Sequence, residues 1–192
     1  MSIPFRKRVP KRRTDIKEKA SYGKYKDELR SDFECRCGYC DDHDNRLGGS
    51  RTYHIDHVAP RSLFPNLEIT YSNLVYSCPF CNGSKSNKEL IHNRYGVHHI
   101  DPCNEQYDEC FTRKQDGSIR AVNEMGEFLY KTLNLGLARH SIAWSMDHIE
   151  ITLEKIETKV ADLPDSEETC QIMREFAKLC KDYINYNKSI NQ

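Results

Sequence analysis

The segment Asp56-His57-Val58-Ala59-Pro60, followed by Asn73-Leu74 and then by Cys78-Pro79-Phe80-Cys81-Asn82, decides the fold. Upstream stands Cys37-Gly38-Tyr39-Cys40, so two C-x-x-C knuckles enclose an Asp-His pair. A C-x-x-C turn sets both sulfurs on one side of a short loop. Two such turns, with 37 residues between them, give a closed four-thiolate set for one structural zinc: Cys37, Cys40, Cys78 and Cys81. Cys35, two residues before Cys37, could stand in for it. A redox pair explains one C-x-x-C but not the second.

The residues between and just after the knuckles carry chemistry of another kind. Metal-assisted hydrolysis needs an activated water, stabilisation of developing negative charge, and help for the leaving oxygen. His57 is a natural base near neutral pH. Asp56 offers a hard carboxylate oxygen and Asn82 an amide oxygen. That donor pair, completed by waters, suits Mg2+ or Mn2+ better than zinc. Strand alternation puts Asp56 and His57 on opposite faces, so sharing a site requires a bend, for which Pro60 is the candidate. His54 lies two residues before Asp56 and reads mainly as scaffold. Arg61, and Lys85 one helical turn after Asn82, are candidate phosphate contacts, with solvated charge as the competing reading.

Working outward, 53–58 reads as a strand ended by Pro60, 61–72 as a loop, 74–76 as a second strand, and 81 to about 90 as a helix. The predicted fold class is α+β: a small ββα-metal core with a four-cysteine zinc site, flanked by helices. Three segments follow: 1–34, a basic arm and N-terminal helix; 35–92, the metal core; 93–192, an irregular linker and a helical region. The arm carries Arg6, Lys7, Arg8, Lys11, Arg12 and Arg13 and reads equally as a phosphate-neutralising tether or a solvated tail. A helix is expected over 14–33, capped by Thr14, and 91–120 is expected to be irregular. Further on, Ile142, Met146, Ile149, Leu153, Ile156 and Val160 recur at helical intervals, with Pro164 as a stop. A last helix from about Ser166 is expected to group Met173, Ala177, Cys180 and Ile184.

Residues 1–100 hold 18 Lys+Arg against 12 Asp+Glu, and 101–192 hold 11 against 17. The knuckle half is therefore basic, which suits a polyanionic substrate, and the acidic half is left to contact protein. Nine cysteines, an odd number with no export signal, favour metal binding in a reducing cytoplasm over disulfides. No apolar run is long enough to span a membrane.

The string D-H-V-A-P-R-S, S-N-L-V, C-P-F-C-N-G-S-K resembles the zinc-knuckle branch of the HNH endonucleases over about residues 35–90. The resemblance implies that His57 is the general base, that Asn73 helps orient it, and that Asp56 and Asn82 hold the catalytic metal. It implies an endonuclease cutting nucleic acid, DNA before RNA, with one divalent ion. A looser similarity to PtuB-type HNH proteins of Septu and retron anti-phage systems rests on Asp101-Pro102 and three longer stretches. They are Ser62-Leu63-Phe64-Pro65-Asn66-Leu67, Asp116-Gly117-Ser118-Ile119 and Thr132-Leu133-Asn134-Leu135-Gly136-Leu137-Ala138-Arg139. It implies an effector working beside an ABC-type ATPase. The alternative is a zinc-ribbon module that binds nucleic acid without cutting it.

Overall fold

The computed structural model describes residues 3–91, 99–160 and 166–190. They form two compact units, divided after Leu137. In the first unit β1 (Ile3–Pro4) is followed by α1 (Lys26–Asp32), β2 (His54–His57), β3 (Leu74–Ser77) and α2 (Pro79–Lys85). Then come α3 (Glu105–Asp108), β4 (Phe111–Arg113), β5 (Ile119–Ala121) and α4 (Glu124–Thr132). The second unit is a pair of long helices, α5 (Ala138–Val160) and α6 (Glu167–Ile190). The fold is mixed helix and sheet, as the motif order requires. No helix among the described residues is long and apolar enough to cross a membrane.

The ββα unit is β2, β3 and α2. The two strands pair antiparallel with His54 opposite Ser77 and His57 opposite Leu74. All four β3 residues are buried, because one face meets α1 through Leu29 and Phe33 while Tyr76 stacks on Tyr53 at 5.0 Å. α2 begins earlier than expected. Cys78 is its N-cap, its sulfur accepting from the Cys81 amide at 3.4 Å, and Pro79 fills the first turn where a missing N–H costs nothing. It also ends earlier, at Lys85, because Ser86 is left-handed with φ 50°. The first knuckle packs so tightly that a Cβ on Gly38 would lie 2.6 Å from the Phe33 ring and 2.8 Å from Val75. Only glycine fits there.

Two expectations fail in the N-terminal half. The basic arm is neither a tail nor a free tether, because β1 pairs with β4, adding a strand to a β1-β4-β5 sheet. Arg6 is buried and donates to the Gly38 carbonyl at 2.8 Å while pairing with Asp108. Arg12 makes a two-pronged bond to Asp101 at 2.8 and 3.0 Å and reaches the Leu74 carbonyl. Arg13 bonds Asp32 at 2.6 Å. These guanidiniums staple the arm to the core. The expected helix over 14–33 shrinks to a 3-10 turn at Tyr22–Tyr25 and α1, with Thr14 capping nothing, since 14–21 is non-helical. The apolar positions before Tyr22 are too sparse to bury a helical face.

The segment expected to be irregular holds the hairpin β4-β5, whose turn is Asp116-Gly117 with Gly117 at φ 76°. α4 is capped by Asn123 accepting from the Gly126 amide at 2.7 Å. A Cβ on Gly126 would lie 2.3 Å from the Cys110 carbonyl. In the second unit, Met146 and Ile149 of α5 are buried as the periodicity predicts. α6 presents a different face from the one expected. Ile172, Phe176, Leu179, Tyr183 and Tyr186 are half-buried, whereas Met173 and Ile184 are exposed. Two apolar stripes lie side by side on this helix, and the one rich in aromatics, with more area to bury, wins. Tyr183 also bonds Glu150 of α5 at 2.6 Å. Gly96, Pro164 and the Val160 side chain lie outside the described residues.

Candidate metal centre and active site

The four knuckle cysteines converge. One sulfur from each of Cys37, Cys40, Cys78 and Cys81 lies within 4.8 Å of the others, and all four residues are buried. The Cys40–Cys78 separation is 3.7 Å, close to the ~3.8 Å edge of a tetrahedron with zinc–sulfur bonds of about 2.3 Å. Burial, together with the three neighbouring sulfurs, holds the Cys40 thiol well above its usual pKa. Four thiolates in this volume therefore need a compensating cation, and the donor set is compatible with zinc. Cys35 stands outside the cluster, which resolves the choice between Cys35 and Cys37. All nine cysteines are unbridged.

α2 leaves this knot carrying Asn82 and Lys85, and a second site opens beside it. A polar cleft of about 420 Å³ is lined by residues 54–57 of β2, by Pro60, Arg61 and Tyr22, and by Asn82, Gly83, Ser86 and Asn87. Asp56, His57 and Asn82, singled out from sequence, thus share one wall-to-wall space. Asp56 and His57 are both buried, with 7% and 6% exposure, and they take different partners, as strand alternation demands. The cleft runs past both, because β2 ends at His57 and the chain turns away beyond it. His54 is exposed on the same strand.

His57 is held from two sides. Its Nε2 lies 3.0 Å from the Glu68 carbonyl. A carbonyl only accepts, so Nε2 carries the proton and the lone pair of the neutral ring is on Nδ1. Tyr22 packs edge-on against the ring at 4.9 Å. Burial lowers the His57 pKa from 6.5, outweighing the Glu68 bond that raises it. The imidazole is therefore neutral at neutral pH.

Asp56 sits in a network that sequence reasoning missed. Its Oδ2 accepts from the Tyr39 hydroxyl at 2.6 Å, and Lys85 Nζ lies 3.2 Å from the same oxygen. Lys85 also donates to the His57 carbonyl at 2.6 Å and is fully buried. Lys85 is thus no surface phosphate contact but an internal counter-ion joining α2 to β2. Tyr39 lies inside the first knuckle, so its position in C-G-Y-C was a usable signal; Tyr22 gave none. Among the described residues, the remaining oxygen, Oδ1, has only Lys85 at 3.4 Å. A carboxylate with a lone pair to spare, and an amide on the facing helix, border a cleft roomy enough for a hydrated ion. The donor set fits a hard divalent cation.

Of the other two expected site residues, Asn73 lies apart from that centre and Arg61 stands at its edge. Asn73 spends its amide on backbone: Oδ1 accepts from Ala59 N at 2.8 Å, and Nδ2 donates to the carbonyls of Ala59 at 3.1 Å and Leu67 at 3.2 Å. It clamps the loop that follows His57 rather than touching the ring. Arg61 stands exposed at the cleft, bonded to the Tyr22 hydroxyl at 2.9 Å and near Glu68 at 3.4 Å.

The structure thus joins a knuckle-tied ββα unit to a cleft that holds a histidine and a carboxylate. Residues 37–88 match the family model described as HNH endonuclease, a span that begins at the first knuckle and ends just past α2. Neither the comparison with curated proteins nor that with solved structures gave a match.

Proposed function

We propose that this chain is a metal-dependent HNH endonuclease that hydrolyses phosphodiester bonds, in DNA before RNA. The observation that carries the reading is His57. Its ring is neutral, with Nε2 committed to a backbone carbonyl and Nδ1 left basic, beside a carboxylate and an amide at one cleft. In this reading His57 Nδ1 takes the proton of an attacking water and becomes an imidazolium, which the Glu68 carbonyl then steadies through Nε2–H. The attacking oxygen joins phosphorus in line with the bond that breaks. Asp56 and Asn82 would hold the cation, and Lys85 and Tyr39 keep the Asp56 carboxylate oriented. Bound Mg2+ or Mn2+ supplies Lewis-acid stabilisation of the phosphoryl oxygens and the leaving oxygen. Asn73 acts through the loop after His57. Arg61 meets the phosphate backbone at the cleft mouth.

The basic balance of residues 1–100 supports a nucleic-acid substrate, as does the matched family. The finer role, an anti-phage effector acting in the cytoplasm with an ABC-type ATPase, is supported by the PtuB-like stretches and by nine unbridged cysteines. The test is cleavage of supercoiled plasmid and of labelled RNA with Mg2+ or Mn2+, comparing wild type with His57→Ala. Plasmid nicking or cutting by wild type alone is the expected result. A metal-replete His57→Ala protein that cuts as fast as wild type overturns the assignment. Binding without cleavage by both proteins favours the zinc-ribbon binding module.

A further inference from the structure

We propose a further metal site in the first unit, apart from the knot and the cleft, formed by Cys35, His43 and Asp44, which takes a borderline divalent cation of the Zn2+ or Co2+ class. It rests on geometry away from the cleft and is independent of the nuclease reading. One ligand atom from each of the three residues lies within 4.8 Å of the other two. His43 Nδ1 and Asp44 Oδ1 are 3.6 Å apart, slightly longer than the ~3.3–3.4 Å N–O edge of a tetrahedron around zinc.

The backbone explains why Cys35 belongs here and not with the knuckle. Arg36 and His43 form an isolated bridge, so the Cys35-Arg36-Cys37 run lies alongside Asp42-His43-Asp44. The amide of Asp44 donates to the Cys35 carbonyl at 2.8 Å, and that of Cys37 to the Asp42 carbonyl at 2.9 Å. Regular alternation would send both sulfurs the same way. Glu34 and Cys35 instead adopt left-handed conformations, with φ of 52° and 61°, at the end of α1. For residues other than glycine that conformation is uncommon. It divides the sulfurs: Cys37 joins the buried four, and Cys35 joins His43 and Asp44.

Each ligand is presented in a usable form. The Asn45 amide donates to His43 Nδ1 at 3.2 Å, which places the ring proton on Nε2 and the lone pair on Nδ1. Asn45 is exposed, so water satisfies its amide once a cation takes that lone pair. Asp44 is fixed through Oδ2, which accepts from Arg30 Nε at 2.6 Å and from the Tyr76 hydroxyl at 2.8 Å. Oδ1, the oxygen on the His43 side, accepts a longer bond from Arg30 Nη2 at 3.3 Å, which a cation would displace. Binding releases the Cys35 thiol proton to water, and the thiolate and carboxylate together balance a dication. Three ligands leave a fourth position for water, and Cys35 and His43 are only half-buried. The site is therefore weaker than the closed four-sulfur knot and open to exchange. Arg30 opposes the cation electrostatically, and its side chain is 40% exposed, which lets it swing away. An ion here ties the end of α1 to the loop after the first knuckle.

The test is a Co2+ titration of the zinc-loaded protein, followed by thiolate-to-cobalt absorption and by metal analysis. Wild type should take up a second equivalent with a sulfur–cobalt band while the first zinc stays bound. Cys35→Ser should lose that band and weaken the second equivalent at least about tenfold, keeping one zinc per chain. Cys35→Ala serves as a second variant that offers no oxygen donor. Arg30→Gln should tighten it, since a competing cation is gone. A wild type that stops at one equivalent overturns the proposal. So does a second equivalent whose spectrum and affinity are unchanged in both Cys35 variants.

Discussion

The four-sulfur knot and the polar cleft share helix α2, yet they are built on opposite principles. Cys81 of the helix belongs to the knot, and Asn82, the next residue, lines the cleft. In the knot the ligands are chemically identical, buried and sufficient among themselves. In the cleft no group is sufficient. His57 needs the Glu68 carbonyl and the Tyr22 ring, and Asp56 needs Tyr39 and Lys85. The knot is closed by its own four sulfurs, whereas the cleft is open to solvent and lined by unlike polar groups. A mutation that damages the first should therefore remove both. A mutation in the second should spare the first.

The largest expected effect follows. Cys78→Ser with Cys81→Ser should abolish zinc binding and the cooperative thermal transition, since metal-coupled folding in such knuckles contributes about 10 kcal/mol or more. Asp56→Ala should keep its zinc. Equal zinc loss in both variants, read by metal analysis, breaks the separation between knot and cleft.

Next in size is His57→Ala, expected to lower cleavage by about 10²–10⁴-fold with the melting curve little changed. The pH profile sharpens the point. Burial lowers the His57 pKa from 6.5, so the neutral, active form persists as pH falls below that value. Activity should be flat above pH 6.5 and fall only as pH drops through the depressed pKa. An acid limb centred above 6.5 contradicts a desolvated base.

Lys85 tests how the cleft is neutralised. Lys85→Met leaves Asp56 buried without its partner 3.2 Å away, which should cost about 3–5 kcal/mol. Adding Asp56→Asn should recover part of the loss in a denaturant titration. The single variant should also bind Mg2+ or Mn2+ more tightly by calorimetry, because a competing ammonium is gone. An unchanged affinity means that Lys85 only braces α2 against β2.

Lys85 also shows where sequence reading stops. The knuckles were legible because ligand spacing is local and thiolate chemistry admits few alternatives. The β2, β3, α2 order was legible because β-branched runs and the cap at Cys78-Pro79 are local as well. Asp56, His57 and Asn82 follow from type and spacing, and they do share a cleft. The partners of Arg61 and Lys85 do not follow, because a charge reads the same whether its counter-ion is solvent or a carboxylate 29 residues away. The same blindness hid the folding of the arginine arm and the β1-β4-β5 sheet, whose pairing joins Ile3 to Arg113. Asn73 was legible as important but not as a clamp.

That clamp gives a smaller prediction. Asn73→Ala removes three bonds that close the loop over residues 59–67 and leaves the Ala59 amide without its partner. The cost should be about 1–3 kcal/mol in stability. Cleavage should fall less than in His57→Ala, because Asn73 reaches the ring only through the loop. A loss as deep as that of His57→Ala at unchanged stability would mean direct contact with the reacting groups.

The smallest expected effect belongs to Arg61, an exposed residue of the cleft. Its ion pair with Glu68 spans 3.4 Å between half-exposed side chains, and its guanidinium lies 5.3 Å from the Tyr22 ring centre. Water screens such a pair, so Arg61→Ala should change stability by no more than about 1 kcal/mol. What it should change is the grip on substrate. A phosphate contact contributes about one counter-ion to the salt dependence of DNA binding. The variant should therefore raise KM, leave kcat nearly unchanged, and flatten the slope of log affinity against log salt by close to one unit. If instead kcat falls and the salt slope is unaltered, Arg61 acts inward, holding Tyr22 against the His57 ring, and the mouth of the cleft draws its positive charge from elsewhere.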